Sequence, residues 1–119
     1  TQALHPRVAQ AVAYLESRTD REVGAGELAK AAFASYSHLS ALFRERFGCG
    51  PLRYHQLMRM ERAKKLLLNP YLSIAEVASQ TGFEDANYFT RLFRQLCGLP
   101  PGRWRKSSKR APRVVQAPL

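Results

Sequence analysis

Residues 39–54, LSALFRERFGCGPLRY, return fifty positions later as residues 89–104, FTRLFRQLCGLPPGRW. Leu42/Leu92, Phe43/Phe93, Arg44/Arg94, Gly48/Gly98, Pro51/Pro101 and Arg53/Arg103 are identical, six of sixteen aligned pairs. Unrelated segments of average composition would share about one. Leu39/Phe89, Ser40/Thr90 and Tyr54/Trp104 also keep their chemistry. One structural unit has been built twice. In each copy an apolar pattern of helical period runs into a glycine, and a proline then opens the next segment.

The match continues upstream at an offset of 49, with Glu27-Leu28-Ala29 answering Glu76-Val77-Ala78. The one-residue slip therefore falls between Ala29 and Leu39 or in its partner segment. Inside a helix an extra residue would rotate every later side chain by about 100°. The slip belongs in a connection, and each copy reads as helix, turn, helix. Two copies are fewer than the three or more that a solenoid usually stacks.

The rest of the chain follows from spacing and caps. Residues 5–18 form an amphipathic helix with Pro6 in its first turn and Val8, Ala11, Val12 and Leu15 on one face. A short helix spans 27–33 with Leu28, Ala31 and Ala32 inward. Ser35 caps a third helix over 36–47, closed by Gly48. Pro51 starts a long fourth helix to about Leu68, with Tyr54, Leu57, Met60, Ala63 and Leu67 as its inward face, and Asn69-Pro70 stops it. Ser73 with Glu76 is a capping box opening a helix over 74–80. Asp85 caps a helix over 86–97 with Tyr88 or Phe89, Leu92, Phe93 and Leu96 inward. Pro101 opens a last turn carrying Trp104, and residues 107–119 read as a basic, Pro-containing tail expected to stay disordered. No segment alternates as a strand. The fold class is all-α, with about seven helices.

Nineteen Lys and Arg against nine Asp and Glu leave this 119-residue chain at +10. From Ala86 to the end there are eight basic side chains and no acid. Such a field favours polyanions, nucleic acid first and an anionic membrane second. No apolar run is long enough for a membrane span, and the opening residues do not form a signal peptide. Cys49 and Cys97 match no zinc or redox spacing, and Cys97 occupies the slot of Phe47 in the first copy, as a small core residue would. Both thiols suit a reducing cytoplasm. The chain opens on Thr1 rather than methionine, as a fragment of a longer protein or a processed chain would.

Two helices joined by a short turn can lay the second one in the DNA major groove, provided its outward face is small, polar or basic. With Leu39, Leu42 and Phe43 inward, Ser37, Ser40, Ala41 and Arg44 point out. The equivalent set in the second copy is Asn87, Thr90, Arg91 and Arg94. Arg91 suits a bidentate contact with guanine and Asn87 one with adenine, while Ala41 and the Thr90 methyl suit thymine. Two such units joined by a helix could meet successive major-groove segments about 34 Å apart.

Beyond this, residues from about Val8 to Lys106 resemble the DNA-binding domain of the AraC/XylS family of bacterial transcription regulators. The second copy, SIAEVASQTGFEDANYFTRLFRQLCGLPPGRWRK, is similar to the family signature almost throughout, with Ile74, Ala78, Gly82, Phe83, Tyr88, Phe89, Phe93, Gly98, Pro101 and Arg105 in the expected places. The first copy departs by placing Phe33 where the turn often has glycine. The resemblance implies two homeodomain-like helix-turn-helix lobes, 5–50 and 70–106, joined by a linker helix over 51–69. Base-reading positions would be Ser37, Ser40 and Ala41, and Ala86, Asn87, Thr90 and Arg91. Phosphate contacts would fall to Ser35, Tyr36, His38, Arg44, Ser73, Arg94, Arg105 and Lys106, with Asp85 a cap. The implied partners are double-stranded DNA, RNA polymerase, and a separate N-terminal domain for effector binding and dimerisation.

An enzyme is disfavoured. His5, His38 and His55 are scattered, the acids form no facing pair, there is no Gly-rich phosphate loop, and neither cysteine has an activating base. No metal or cofactor is expected. The remaining alternative is a nucleic-acid-binding module indifferent to sequence, or a protein-interaction module.

Overall fold

The computed structural model describes residues 3–110. Among them the chain forms α1 Pro6–Glu16, α2 Ala25–Ala32, α3 Tyr36–Phe47, α4 Pro51–Leu67, α5 Ile74–Gln80, α6 Ala86–Cys97 and α7 Pro101–Arg110, with no strand. The chain divides into two units at Arg59/Met60, inside α4. The long helix contributes residues to both cores.

In the first unit Val8, Ala11, Val12 and Leu15 of α1 meet Val23, Leu28, Ala32, Leu39 and Phe43, and Tyr54 and Met58 of α4 pack on this core. In the second, Met60, Ala63 and Leu67 of α4 join Val77, Ala78, Phe83, Phe89, Leu92 and Phe93, with Trp104 packed against them. The repeat extends to the packing of its rings. Phe43 and Tyr54 stand edge-to-face with centroids 5.5 Å apart, and Phe93 and Trp104 do the same at 6.2 Å. Such pairs contribute about 0.5–1.5 kcal/mol beyond their burial. Cys97 is half-buried against the second core, and burial pushes its thiol pKa up.

Three sequence expectations shift. Leu57 lies outside the α4 core face and is exposed, whereas His55 and Arg59 are buried. His55 is tolerated there because its Nε2 donates to the Arg18 carbonyl at 2.8 Å, taking up a carbonyl just beyond the end of α1. Burial holds this imidazole below its usual pKa. Next, α2 begins at Ala25, two residues before Glu27, which places Glu27 in the first turn. Its carboxylate accepts from Arg21 and from the Tyr14 hydroxyl. Finally, α7 runs on to Arg110 rather than ending near Trp104, so 107–110 are helical; the expectation of a disordered tail otherwise falls on 111–119, outside the described residues. Beyond Trp104 this helix carries no large apolar side chain that could have announced it.

Arg21, then Tyr14, lower the Glu27 pKa from 4.5 to about 2. Its contribution to stability is complete above the ordinary carboxyl value and is lost as pH falls through the folded one. Thermal unfolding across that range is expected to show the gap between wild type and Glu27→Gln closing as pH drops from 4.5 towards 2. A gap independent of pH would contradict this ion pair.

The repeat also places the slip. Phe33 and Gly82 end α2 and α5 alike, with Phe33 N–H on Lys30 O at 3.3 Å and Gly82 N–H on Ser79 O at 3.0 Å. The next amides, of Ala34 and Phe83, reach Ala29 O and Ala78 O at 3.2 and 2.9 Å. Up to here the offset is 49. The following caps, Ser35 and Asp85, are offset by 50, so Glu84 is the inserted residue. Both turns need a left-handed residue: Gly82 has φ 84° and Phe33 φ 55°. A side chain costs about 1–2 kcal/mol in that region. Phe33→Gly is expected to stabilise the first lobe by about 0.5–1 kcal/mol, part of the relief being offset by the freer unfolded chain. A lower melting temperature for this variant would contradict that reading.

Candidate nucleic-acid interface

Each candidate reading helix is held by a side-chain cap and a buried apolar stripe. For α3, Ser35 Oγ accepts the His38 amide at 3.1 Å, and Leu39 and Phe43 are fully buried. Ser37, Ala41 and Arg44 are exposed, and Tyr36 and Ser40 are half-buried. His38 is exposed, its ring edge-to-face with His5 at 6.0 Å. For α6, Asp85 Oδ1 accepts the Asn87 amide at 2.9 Å, while Phe89, Leu92 and Phe93 anchor the helix. Asn87, Arg91 and Arg94 are exposed and Thr90 is half-buried. Ala86 packs against the second core, which leaves only part of it for a groove. On each helix the proposed reading positions and the following arginine keep spacings of three and four residues, so they share one face.

Two expected phosphate ligands are committed elsewhere. Ser73 closes its capping box, its Oγ taking the Glu76 amide at 3.0 Å and its own amide donating to Glu76 Oε1 at 2.8 Å. The Glu76 carboxylate is thereby placed at the start of α5, its pKa lowered by the Ser73 backbone hydrogen bond. A phosphate would meet like charge there. Arg105 turns back into its own lobe: Nε donates to Leu67 O at 2.8 Å, and one terminal nitrogen to Asn69 O at 3.3 Å and Leu72 O at 2.6 Å. Its fork joins α7 to the α4–α5 loop. The position that fits the family signature thus holds the α4–α5 loop through three carbonyls.

Lys106 remains exposed, beside a hollow of about 390 Å³ lined by Leu99, Arg103, Lys106 and Ser107. Arg103 and its first-copy equivalent Arg53 are both exposed, and neither makes an intramolecular hydrogen bond or ion pair among the described residues. The repeat singles them out as a matched pair. Of the six identities, Leu42/Leu92 and Phe43/Phe93 pack in the cores. Gly48/Gly98 take φ 82° and 89°, and Pro51/Pro101 are buried helix starts. The side chains of Arg44/Arg94 and Arg53/Arg103 make no hydrogen bond or ion pair among the described residues and are exposed.

Among the described residues no group of His, Cys, Asp and Glu could hold a metal ion, and no helix is long and apolar enough to cross a membrane.

A family model described as a helix-turn-helix domain matches residues 28–107. The transcriptional regulator GbdR of Pseudomonas aeruginosa is 32% identical over 114 residues, 96% of this chain and 31% of that protein. The arabinose operon regulatory protein of Escherichia coli is 33% identical over 109 residues, 87% of this chain and 37% of its own length. The chain spans about a third of the length of these relatives. Among solved structures, the C-terminal domain of AraT, a response regulator from Geobacillus stearothermophilus, superposes with a TM-score of 0.83 at 26% identity, covering 89% of this chain and 88% of that one. The DNA-binding domain of the transcriptional factor AdpA, in complex with a target DNA, gives 0.79 at 26% identity, covering 89% and 97%.

Proposed function

The chain belongs to the AraC-type helix-turn-helix family of transcription regulators, and from that premise we propose that it binds double-stranded DNA sequence-specifically, placing α3 and α6 in successive major-groove segments. The observation that carries this is the duplicated reading face, two capped helices each presenting small, polar and basic groups outward from a closed apolar core. Fold and family are those of DNA-binding regulators rather than enzymes.

The two faces divide the work unevenly. Asn87, Thr90 and Arg91, with a lesser part for Ala86, discriminate bases through adenine, thymine-methyl and guanine contacts. Ser37, Ser40 and Ala41 are too short for bidentate pairing and read thymine methyls or groove shape. Ser35, Tyr36, His38, Arg44, Arg94 and Lys106 meet phosphates. Arg53 and Arg103 join them in place of Ser73 and Arg105. Each phosphate contact released should lower the slope of log affinity against log salt by about one. Arg53→Ala and Arg103→Ala are expected to do so on specific and random duplexes alike, measured by fluorescence anisotropy over a salt series. Unchanged slopes in both would remove them from the interface.

The full protein is proposed to be a cytoplasmic activator in which a further domain, on the N-terminal side, binds an effector and dimerises, and which contacts RNA polymerase. The greater length of the relatives supports the further domain. The reading as a whole is tested by the affinity ratio between a preferred duplex and a shuffled one at fixed salt. A ratio of roughly 10³ or more is expected, and a ratio near one would leave only charge-driven binding.

A further inference from the structure

We propose that Phe33 is the anchor of a protein-docking surface on the first lobe, whose partner is an acidic protein segment carrying large apolar side chains. The turn does not require this residue. The chain's own second copy makes the same two backbone hydrogen bonds with Gly82, without a side chain in the left-handed region. In that copy the aromatic ring stands one position later, as Phe83, and is buried in the core. In the first copy the small Ala34 takes the inner place and the ring moves outward, where Phe33 is 70% exposed. A strained backbone carrying a ring in water serves neither folding nor solubility, and such departures mark functional positions.

The surroundings specify the partner. The Arg7 guanidinium lies 5.9 Å from the Phe33 ring centroid, and Lys30 is exposed one turn before it on α2. Beside Lys30 runs an open trough of about 740 Å³ lined by Tyr14, Gly26, Glu27, Lys30 and Ala31. The acid in this set, Glu27, is already paired with Arg21 and accepts a hydrogen bond from the Tyr14 hydroxyl. What remains is an aromatic knob with Arg7 against its ring and an open trough edged by Lys30. That combination complements an acidic chain with large apolar side chains, since large aromatic and Arg side chains anchor protein interfaces. A phosphodiester backbone would use the cations and leave the ring in water.

The test is selection of a random peptide library displayed on phage against the immobilised chain, with Phe33→Gly as the counter-selecting surface. Enriched peptides are expected to combine Asp or Glu with large apolar residues. Their affinity is expected to fall at least tenfold on Phe33→Gly and on Lys30→Glu, with duplex-DNA affinity of Phe33→Gly within twofold of wild type. No enrichment over the counter-selecting surface, or enrichment of peptides without acids, would overturn the proposal. So would a Phe33→Gly protein that is folded but impaired on DNA, because Phe33 would then be a DNA contact.

Discussion

Replacing Arg105 by alanine is expected to lower the stability of the second lobe by about 3 kcal/mol, a large share of the 5–15 kcal/mol typical of a domain. The guanidinium is the shared donor for the carbonyls of Leu67, Asn69 and Leu72, at the end of α4 and through the loop into α5. Hydrogen bonds from a charged donor contribute roughly 1.5–3 kcal/mol each, but three made by one half-buried side chain are not additive. Arg105→Lys should recover little of the loss, because an ammonium cannot reproduce the spread of the fork. Trp104, the one tryptophan in the chain, packs on the second core and reports the unfolding of that lobe by fluorescence in urea. DNA affinity of the folded fraction is expected to keep its salt slope. Unchanged stability with a slope lower by one would return Arg105 to the phosphates.

Arg91→Ala is expected to behave in the opposite way, leaving unfolding unchanged and costing about 1–3 kcal/mol of discrimination at a single base position. Arg91 is exposed on α6 and makes no intramolecular hydrogen bond or ion pair among the described residues, so its removal breaks nothing in the lobe. Its fork matches the two major-groove acceptors of guanine. Affinity for random duplex should fall only by the loss of one charge. Equal losses on preferred and random DNA would make Arg91 a phosphate contact instead. Together the two arginines separate structural from reading roles within one basic segment.

What the sequence made legible follows how local its physics is. Apolar spacing, the caps Ser35, Ser73 and Asp85, and the glycines 48 and 98 are decided within a turn or two, and the elements they bound appear where those signals stand. α4 was harder, because one helix serving two cores has no single apolar stripe. A fixed inward face put Leu57 inside, while His55 entered through a bond to a carbonyl 37 residues away. The same limit governs the arginines. Nothing local distinguishes Arg105, whose partners lie 33 to 38 residues upstream, from Arg103, which has none among the described residues. Ser73 illustrates the converse case. Its capping box is visible in the sequence, and the box places the Glu76 carboxylate at the start of α5.

The measurement that bears most directly on two-lobed sequence recognition is selection of this chain against a random duplex-DNA pool at roughly physiological salt, with the enriched sequences read out. The expected product is an asymmetric site of two short boxes about one helical turn apart, the box facing α6 being the better defined. Retention of DNA without enrichment of any sequence would contradict it, leaving the reading faces of α3 and α6 idle and the charge alone responsible for binding.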